Sequence, residues 1–119
     1  MSEYEKLVEQ YIEAWNTTDP TARRAAIDAL FTPDVTFVDP MSTARSPGEI
    51  DWLIAGVQAQ FPGFVITRSG PVDGHHDQAR FTWEAGLAGQ PAPVAGFDVV
   101  TIAPDGRINQ VLGFLDRTP

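Results

Sequence analysis

The stretch VTFVDP, Val35 to Pro40, has the alternation of a β-strand that ends in a carboxylate. Alternate side chains of a strand point to opposite faces, so Val35, Phe37 and Asp39 share one face. If the two apolar residues mark the buried side, Asp39 lies at the end of an apolar row, directly before a proline. An aspartate before proline also commonly caps a turn, and for Asp39 alone that interpretation stays open.

Composition limits the classes of protein to which the chain can belong. Its 119 residues are close to the commonest domain size and predict one domain spanning 1–119, while 43% hydrophobic and 20% charged residues argue against disorder. The absence of cysteine excludes a disulfide framework, thiolate metal sites and a cysteine nucleophile. A formal charge of −8 without a basic stripe argues against nucleic acid and anionic membranes as partners. The opening MSEYEKLVEQ has no long apolar run, so we expect no signal peptide, no membrane span and a cytoplasmic location.

Three segments combine helical periodicity with capping patterns at their N-termini. Ser2 and Glu5 form a capping-box pattern, and Ser46 and Glu49 form another. Between them, Asp19 is placed as an N-cap with Pro20 at the first helical position. The apolar stripes that these helices would bury are Leu7, Val8, Tyr11, Ile12 and Trp15 in the first, Ile27, Leu30 and Phe31 in the second, and Ile50, Leu53, Ile54, Val57 and Phe61 in the third.

From Phe64 onward the apolar period changes to two, which predicts strands near 64–71, 77–88, 94–103 and 107–116. Thr32-Pro33-Asp34 is predicted as a turn before the strand that contains Val35. Three helices with one embedded strand, followed by four consecutive strands, predict an α+β domain. We expect a curved antiparallel sheet with the helices on one face.

Two further polar residues lie in apolar surroundings. Tyr11 belongs to the stripe of the first helix, so its phenol needs a partner, unless it packs in the core with its hydroxyl at the rim. Asp98 is the only charged residue in VAGFDVVTIA. It is exposed on a half-exposed sheet, paired, or kept neutral by burial, which would raise its pKa. Strand parity alone does not decide which face of this strand is the core.

The sequence gives little support to metal or cofactor chemistry. His75 and His76 are adjacent and would face opposite ways in a strand, so a solvated turn is simpler than a weak surface metal site with Asp73 and Asp77. No glycine-rich phosphate-binding or dinucleotide-binding pattern occurs. We therefore expect neither a metal nor a cofactor.

The segments YIEAWNTTDP, LFTPDVTFVDP and GFDVVTIAPDGRI, in this order, resemble the nuclear transport factor 2-like superfamily. This superfamily includes ketosteroid isomerases and SnoaL-like polyketide cyclases, and the resemblance covers about residues 4 to 116. It implies a cone in which a bent sheet wraps three helices around an internal pocket. It also implies a homodimer formed through the outer face of the sheet, where Phe97, Val99, Val111 or Leu115 would lie.

The ketosteroid isomerase resemblance assigns roles to the three polar residues. It implies that Asp39 is the base that moves a proton between two carbons, while Tyr11 and a protonated Asp98 donate to the enolate oxygen. A cyclase-like variant instead makes Asp98 the acid/base and Asp39 secondary. The loop MSTARS with Arg45, and a third helix without a tyrosine, depart from the isomerase pattern.

The resulting expectation is a cofactor-independent isomerase or cyclase that acts on a small hydrophobic carbonyl compound. The alternative is a non-catalytic module of the same fold that binds a small molecule or dimerises, because this fold carries several functions. In both cases we expect the pocket to be lined by Trp15, Phe37, Trp52, Phe61, Trp83 and Phe114.

Overall fold

The computed structural model describes residues 2–119 and contains three helices and seven strands. The predicted α+β class is confirmed. In chain order the elements are α1 (Glu3–Asn16), α2 (Pro20–Leu30), β1 (Phe31–Val38), β2 (Thr43–Ala44), α3 (Pro47–Gln60), β3 (Phe64–Arg68), β4 (Asp73–His75), β5 (Gln78–Leu87), β6 (Val94–Ile102) and β7 (Ile108–Arg117).

The predicted helix starts are confirmed, because each N-cap satisfies a backbone N–H that the helix leaves without a partner. Ser2 and Glu5 form a reciprocal capping box on α1. The Asp19 carboxylate caps α2, with a proline at the start of that helix. The Ser46 hydroxyl accepts a hydrogen bond from the backbone N–H of Glu49 at the start of α3.

The sheet is mixed, which corrects the prediction of a wholly antiparallel sheet. Its strands follow the order β2-β1-β7-β6-β5-β3, and β4 also pairs with β5. The strands β1 and β7 run parallel, with Phe37 opposite Val111 and Val38 opposite Leu112. Alternation along a segment identifies a strand but not the direction of its neighbour. Since α3 and five strands separate β1 from β7 in the chain, no hairpin imposes an antiparallel pair.

The predicted turn Thr32-Pro33-Asp34 was wrong, because these residues belong to β1. The pairing of β1 with β7 shifts register between Phe31 and Thr36, so this segment is irregular strand. Proline lacks the N–H that a regular ladder needs and is tolerated at such irregularities. Bulged pairing also bends a strand, which contributes to the curvature of the sheet.

The core lies between the helices and the inner face of the sheet. Its completely buried side chains come from all three helices and from the sheet, and include Val8 of α1, Ile27 of α2, Ile50 and Ile54 of α3, Phe31 of β1 and Ile108 of β7. Every helix therefore contributes its stripe to one shared core, and the sheet supplies the opposite wall. Within residues 2–119, no helix has the length and apolar character needed to cross a membrane.

Candidate functional site

A cavity of about 480 Å³ lies against the inner face of the sheet, bounded by α1 and α3. Most of its wall is aliphatic or aromatic. The structure places these residues from the sequence analysis on its lining: Tyr11, Trp15, Phe37, Asp39, Phe61, Trp83, Asp98 and Phe114.

Strand β6 carries Asp98 on its inner face. Gly96, Asp98 and Val100 are buried, whereas Phe97 and Val99 between them are partly exposed. Only 6% of the Asp98 surface is exposed, although it is an acid. The tertiary structure thus decides the question of parity, and it directs the carboxyl into the cavity.

Two hydrogen bonds hold the Asp98 carboxyl in place. The Tyr11 hydroxyl on α1 lies 2.9 Å from Asp98 Oδ2, and this bond is buried. The Trp83 indole Nε1 on β5 donates to Asp98 Oδ1 at 3.2 Å. Tyr11 and Trp83, which are far apart in the chain, therefore both form hydrogen bonds with the Asp98 carboxyl. Asp98 is the hydrogen-bond partner that the buried Tyr11 phenol requires.

The balance of forces on Asp98 raises its pKa to about 6. Burial is the largest cause, because it disfavours the charged carboxylate. The hydrogen bonds from Tyr11 and Trp83 oppose this effect by stabilising the charge, and the nearby Asp39 carboxylate adds to the increase. Burial also raises the pKa of Tyr11 well above its usual value, so the phenol stays protonated. Asp98 can therefore accept or release a proton near neutral pH.

Asp39 and Asp98 approach each other above Gly113 of β7. A Cβ atom placed on Gly113 would lie 2.9 Å from Asp98 Oδ1 and 3.1 Å from Asp39 Cβ. Gly113 is opposite Asp98 in the sheet, and Asp39 directly follows the pair of Val38 with Leu112. The strand β7 lies between β1, which Asp39 follows, and β6, which carries Asp98. Because Gly113 of β7 has no side chain, the two carboxyl groups have room to approach each other.

Asp39 itself is half-buried just after the end of β1. Its Oδ1 accepts a hydrogen bond from the Met41 backbone N–H at 2.9 Å, and its own N–H donates to the Ser42 carbonyl at 3.0 Å. Asp39 therefore caps a turn and also lines the cavity, so the two positions that the sequence left open are compatible.

A second glycine, Gly96, leaves space for the indole of Trp83. Gly96 lies opposite Trp83 in the sheet, and a Cβ atom there would come within 2.8 Å of the indole ring. The ring can therefore lie across β6 and bring its N–H to Asp98, two residues further along that strand. Such a close approach is a usual reason for glycine inside a strand.

The structure contradicts the pocket role expected for Trp52, which is 80% exposed and lies off the cavity lining. Helical spacing explains this position. Trp52 follows the buried Ile50 by two residues, about 200° around the helix, which places it on the opposite face. The predicted stripe of α3 already omitted it.

Two of the four residues expected on the outer face of the sheet lie on the inner side. Val111 is completely buried in the core, and Leu115 lines the cavity. They share a face of β7 with Gly113, because residues two apart along a strand point the same way. Phe97 and Val99 remain on the outer face, and the Phe97 ring stacks on Phe114 at 4.8 Å between centroids.

Neither the role of Gly113 nor the hydrogen bond from Trp83 to Asp98 was predicted from the sequence. An isolated glycine inside the apolar run VLGFL was the available signal for Gly113, because such a glycine often marks a close approach. Phe64 and Phe81 also line the cavity, and their inward direction follows from strand parity. No local signal pairs Trp83 with Asp98, since that contact depends on the register of β5 with β6.

His75 and His76 lie at the turn between β4 and β5, and both are exposed. Their Nδ1 atoms are 2.9 Å apart, and His75 Nε2 is 3.0 Å from Gln78 Nε2. In the described part of the chain, no three His, Asp or Glu side chains cluster as a metal site requires.

Comparisons with known proteins agree with this architecture. The sequence profile of the SnoaL-like domain matches residues 8–111. The structure of a proposed isomerase of the SnoaL-like family from Agrobacterium tumefaciens is 30% identical, covers 98% of this chain and 99% of that chain, and has a TM-score of 0.93. No match was found among curated proteins.

Two more distant structures share the fold. A proposed SnoaL-like polyketide cyclase from Jannaschia is 16% identical, with a TM-score of 0.76 over 96% of this chain and 85% of that chain. A proposed ketosteroid isomerase from Kribbella flavida is 15% identical, with a TM-score of 0.73 over 98% of this chain and 80% of that chain. The chain belongs to the SnoaL-like family and has the nuclear transport factor 2-like fold.

Proposed function

We propose that this protein is a cofactor-independent enzyme that transfers a proton within a small apolar carbonyl compound, as an isomerase or cyclase does. The observation that carries the proposal is a buried aspartate beside an apolar cavity with a pKa of about 6. A group whose pKa lies near the working pH can take up a proton and return it with little cost in either direction. The names of the structural relatives add support, since isomerases and cyclases both move protons next to carbonyl groups.

Asp98 is the acid/base in this proposal. With a pKa of about 6, roughly one Asp98 in ten is protonated at pH 7, so the carboxylate form predominates. An Asp98 that serves only as a protonated donor would need a higher pKa. The proposal therefore adopts the cyclase-like variant, with Asp98 as the acid/base and Asp39 secondary, and the pH dependence of kcat/KM tests it against the scheme in which Asp39 is the base.

Tyr11 supplies a donor for the substrate oxygen. In the resting site, its hydroxyl is within hydrogen-bond distance of the Asp98 carboxyl. As the proton moves from carbon to Asp98, the negative charge of the carboxylate falls and this bond weakens. The phenol can then donate to the oxygen on which the negative charge develops, which lowers the barrier.

The test measures conjugation of a β,γ-unsaturated ketone by ultraviolet absorbance. We expect Asp98→Asn to lower kcat at least 100-fold, the usual scale of general acid/base catalysis, and Asp39→Asn to lower it less than about 10-fold. Tyr11→Phe should have an intermediate effect. Asp34→Asn is the control, because Asp34 is an exposed carboxylate on β1 outside the cavity. Equal rates in all four variants and the wild type would rule the proposal out.

The pH dependence of kcat/KM separates the two schemes. If Asp98 acts as the base, kcat/KM rises with pH and levels off above about 6, since the free carboxylate is required. If Asp98 acts only as a protonated donor, kcat/KM falls as pH rises through the same region. A kcat/KM that falls with rising pH would mean that Asp39, and not Asp98, is the base.

A non-catalytic binding module is the second candidate. The observation in its favour is that both oxygens of Asp98 already have partners within the protein, as in a purely structural pair. It predicts that ketone binding survives Asp98→Asn and Asp39→Asn, with no turnover by any variant or by the wild type.

A further inference from the structure

The charged groups on the cavity lining all have the same sign. Among the described residues, Asp39 and Asp98 are the carboxylic side chains on this lining, Tyr11 adds a phenol, and no Lys, Arg or His side chain lines it. The chain as a whole also carries a formal charge of −8. A ligand that enters the cavity therefore meets negative potential without a compensating cation.

One carboxylate oxygen of Asp39, Oδ2, is available to bind a ligand. Its Oδ1 is bound by the Met41 backbone N–H, whereas no donor or cation of residues 2–119 pairs with its Oδ2. Both oxygens of Asp98, in contrast, already accept hydrogen bonds. Asp39 is thus the acid in the cavity that can bind a cation without losing an existing partner.

Aromatic rings line the same cavity as this acid. Phe37 precedes Asp39 on the same strand face, and its ring lies 6.2 Å from that of Trp15 across the cavity lining. The faces of such rings attract cations through their negative electrostatic potential. An organic ammonium group at Asp39 would gain from the carboxylate and from the rings, while its apolar body fills the cavity.

We propose that the cavity selects its ligand by charge: it binds an apolar molecule that carries a protonated amine, with the ammonium group at Asp39, and it rejects a carboxylate of the same shape. This rests on the proposed function in that it narrows the substrate class to amine-bearing carbonyl compounds. Ligand binding can nevertheless be measured without any turnover.

A bound ammonium group would also relieve the repulsion between the two acids, which meet above Gly113. The Asp39 charge disfavours ionisation of Asp98, and a cation between them would do the opposite. An amine ligand thus keeps Asp98 in the carboxylate form that proton removal requires.

Three bicyclic probes of nearly equal shape and different charge test the proposal: 2-aminotetralin, tetralin and tetralin-2-carboxylate, measured by NMR titration at pH 7. We expect the amine to bind about 3- to 10-fold more tightly than tetralin, and the carboxylate at least 3-fold more weakly, the scale of a partly exposed charge pair with an aromatic contribution. Asp39→Asn should reduce the advantage of the amine at least 3-fold, with Asp98 as the acid that remains in the cavity, and should change the affinity for tetralin much less. Asp34→Asn, the matched control outside the cavity, should alter none of the three affinities.

A second measurement needs no variant. Raising the ionic strength should weaken binding of the amine but not of tetralin, because salt screens charge pairs near the surface. Equal affinity for the amine and the carboxylate, or failure of all three probes to bind at millimolar concentration, would overturn the proposal. Loss of turnover in Asp98→Asn with charge selection intact supports both proposals, whereas charge selection without any turnover leaves this one standing and removes the proposed function.

Discussion

At the scale of single residues, the properties of the site depend on what surrounds Asp98. Burial favours the neutral acid, and the hydrogen bonds from Tyr11 and Trp83 favour the carboxylate. The pKa of about 6 is the result of this competition, so removal of one donor should shift it in a known direction.

We expect Trp83→Phe to raise the pKa of Asp98 above about 6. Phenylalanine keeps an aromatic ring over Gly96 but lacks the N–H that stabilises the carboxylate at 3.2 Å. Loss of one hydrogen bond to a charged group should move the midpoint upward by about one pH unit. The measurement is a ¹³C NMR titration of the Asp98 carboxyl carbon.

Trp52→Phe is the control for this titration, because Trp52 is exposed and distant from the cavity. An unchanged or lowered midpoint in Trp83→Phe would mean that the indole N–H does not stabilise the charge of Asp98.

At the scale of elements, the C-terminus of α1 is hydrogen-bonded to the strand β3. The Asn16 side chain makes two hydrogen bonds of 2.8 Å to Ile66, one to its N–H and one to its carbonyl. Because β3 is at the edge of the sheet, Asn16 satisfies backbone groups that no further strand would pair. Gln58 on α3 adds two bonds, to the carbonyls of Trp15 and Thr17 at the same helix end.

We expect Asn16→Ala to lower the free energy of unfolding by about 1–3 kcal/mol, because the partly buried N–H and carbonyl of Ile66 lose their partner. Urea denaturation followed by circular dichroism measures this quantity. Gln10→Ala on the exposed side of α1 should change it by less than about 0.5 kcal/mol. Equal effects of the two substitutions would show that the contact between α1 and β3 does not stabilise the fold.

At the scale of the whole molecule, the outer face of the sheet bears an apolar patch. It consists of partly exposed side chains on the neighbouring strands β1, β7 and β6: Val38, Phe97, Val99, Leu112 and Phe114. Of these, Val38 is 46% and Phe114 51% exposed. Exposed apolar groups that cluster in this way are typical of an interface, and we propose that two copies of the chain pair through this patch.

This proposal predicts that Phe97→Glu, in the patch and off the cavity lining, converts a dimer into a monomer, since a charge buried in an interface without a partner is costly. Light scattering coupled to size-exclusion chromatography gives the mass directly. Trp52→Glu replaces a large exposed aromatic side chain on the helical side and should leave the dimer intact. Dissociation by Trp52→Glu alone would locate the interface on α3 instead, and a monomeric wild type would exclude the dimer.

The stability of the whole molecule should also depend on pH through Asp98. Folding raises the pKa of this acid from 3.8 to about 6, so the folded state holds the proton more tightly than the unfolded chain. Between these values the unfolded chain has already lost its proton, and stability falls as pH rises. Above about pH 6 both states are ionised, and this contribution is constant.

Relative to Asp98→Asn, the wild type should therefore lose about 2 kcal/mol of unfolding free energy between pH 4 and pH 7. Urea titrations of both proteins at several pH values measure the difference, in which the ionisable groups that do not interact with Asp98 cancel. A difference that is constant or increases with pH would mean that burial does not raise the pKa of Asp98.

The sequence alone determined the local features of this protein. The helix starts at Ser2, Asp19 and Ser46 depend on hydrogen bonds within three or four residues, and the positions of the long strands β5, β6 and β7 depend on alternation along one segment, so both can be predicted from neighbouring residues. The short strands β2 and β4 and the irregular start of β1 lack this alternation and were not predicted. The order of three quoted segments was enough to identify the fold. Helical spacing would also have placed Trp52 on the surface.

Only the tertiary structure decided how distant segments meet. The parallel pairing of β1 with β7, the inward face of β6 and the hydrogen bond between Tyr11 and Asp98, 87 residues apart, all depend on register across the sheet. The same register brings Asp39 next to Asp98 above Gly113. A pKa is set by burial and by neighbours in space, so the chemistry of Asp98 could not be read from the residues beside it in the chain.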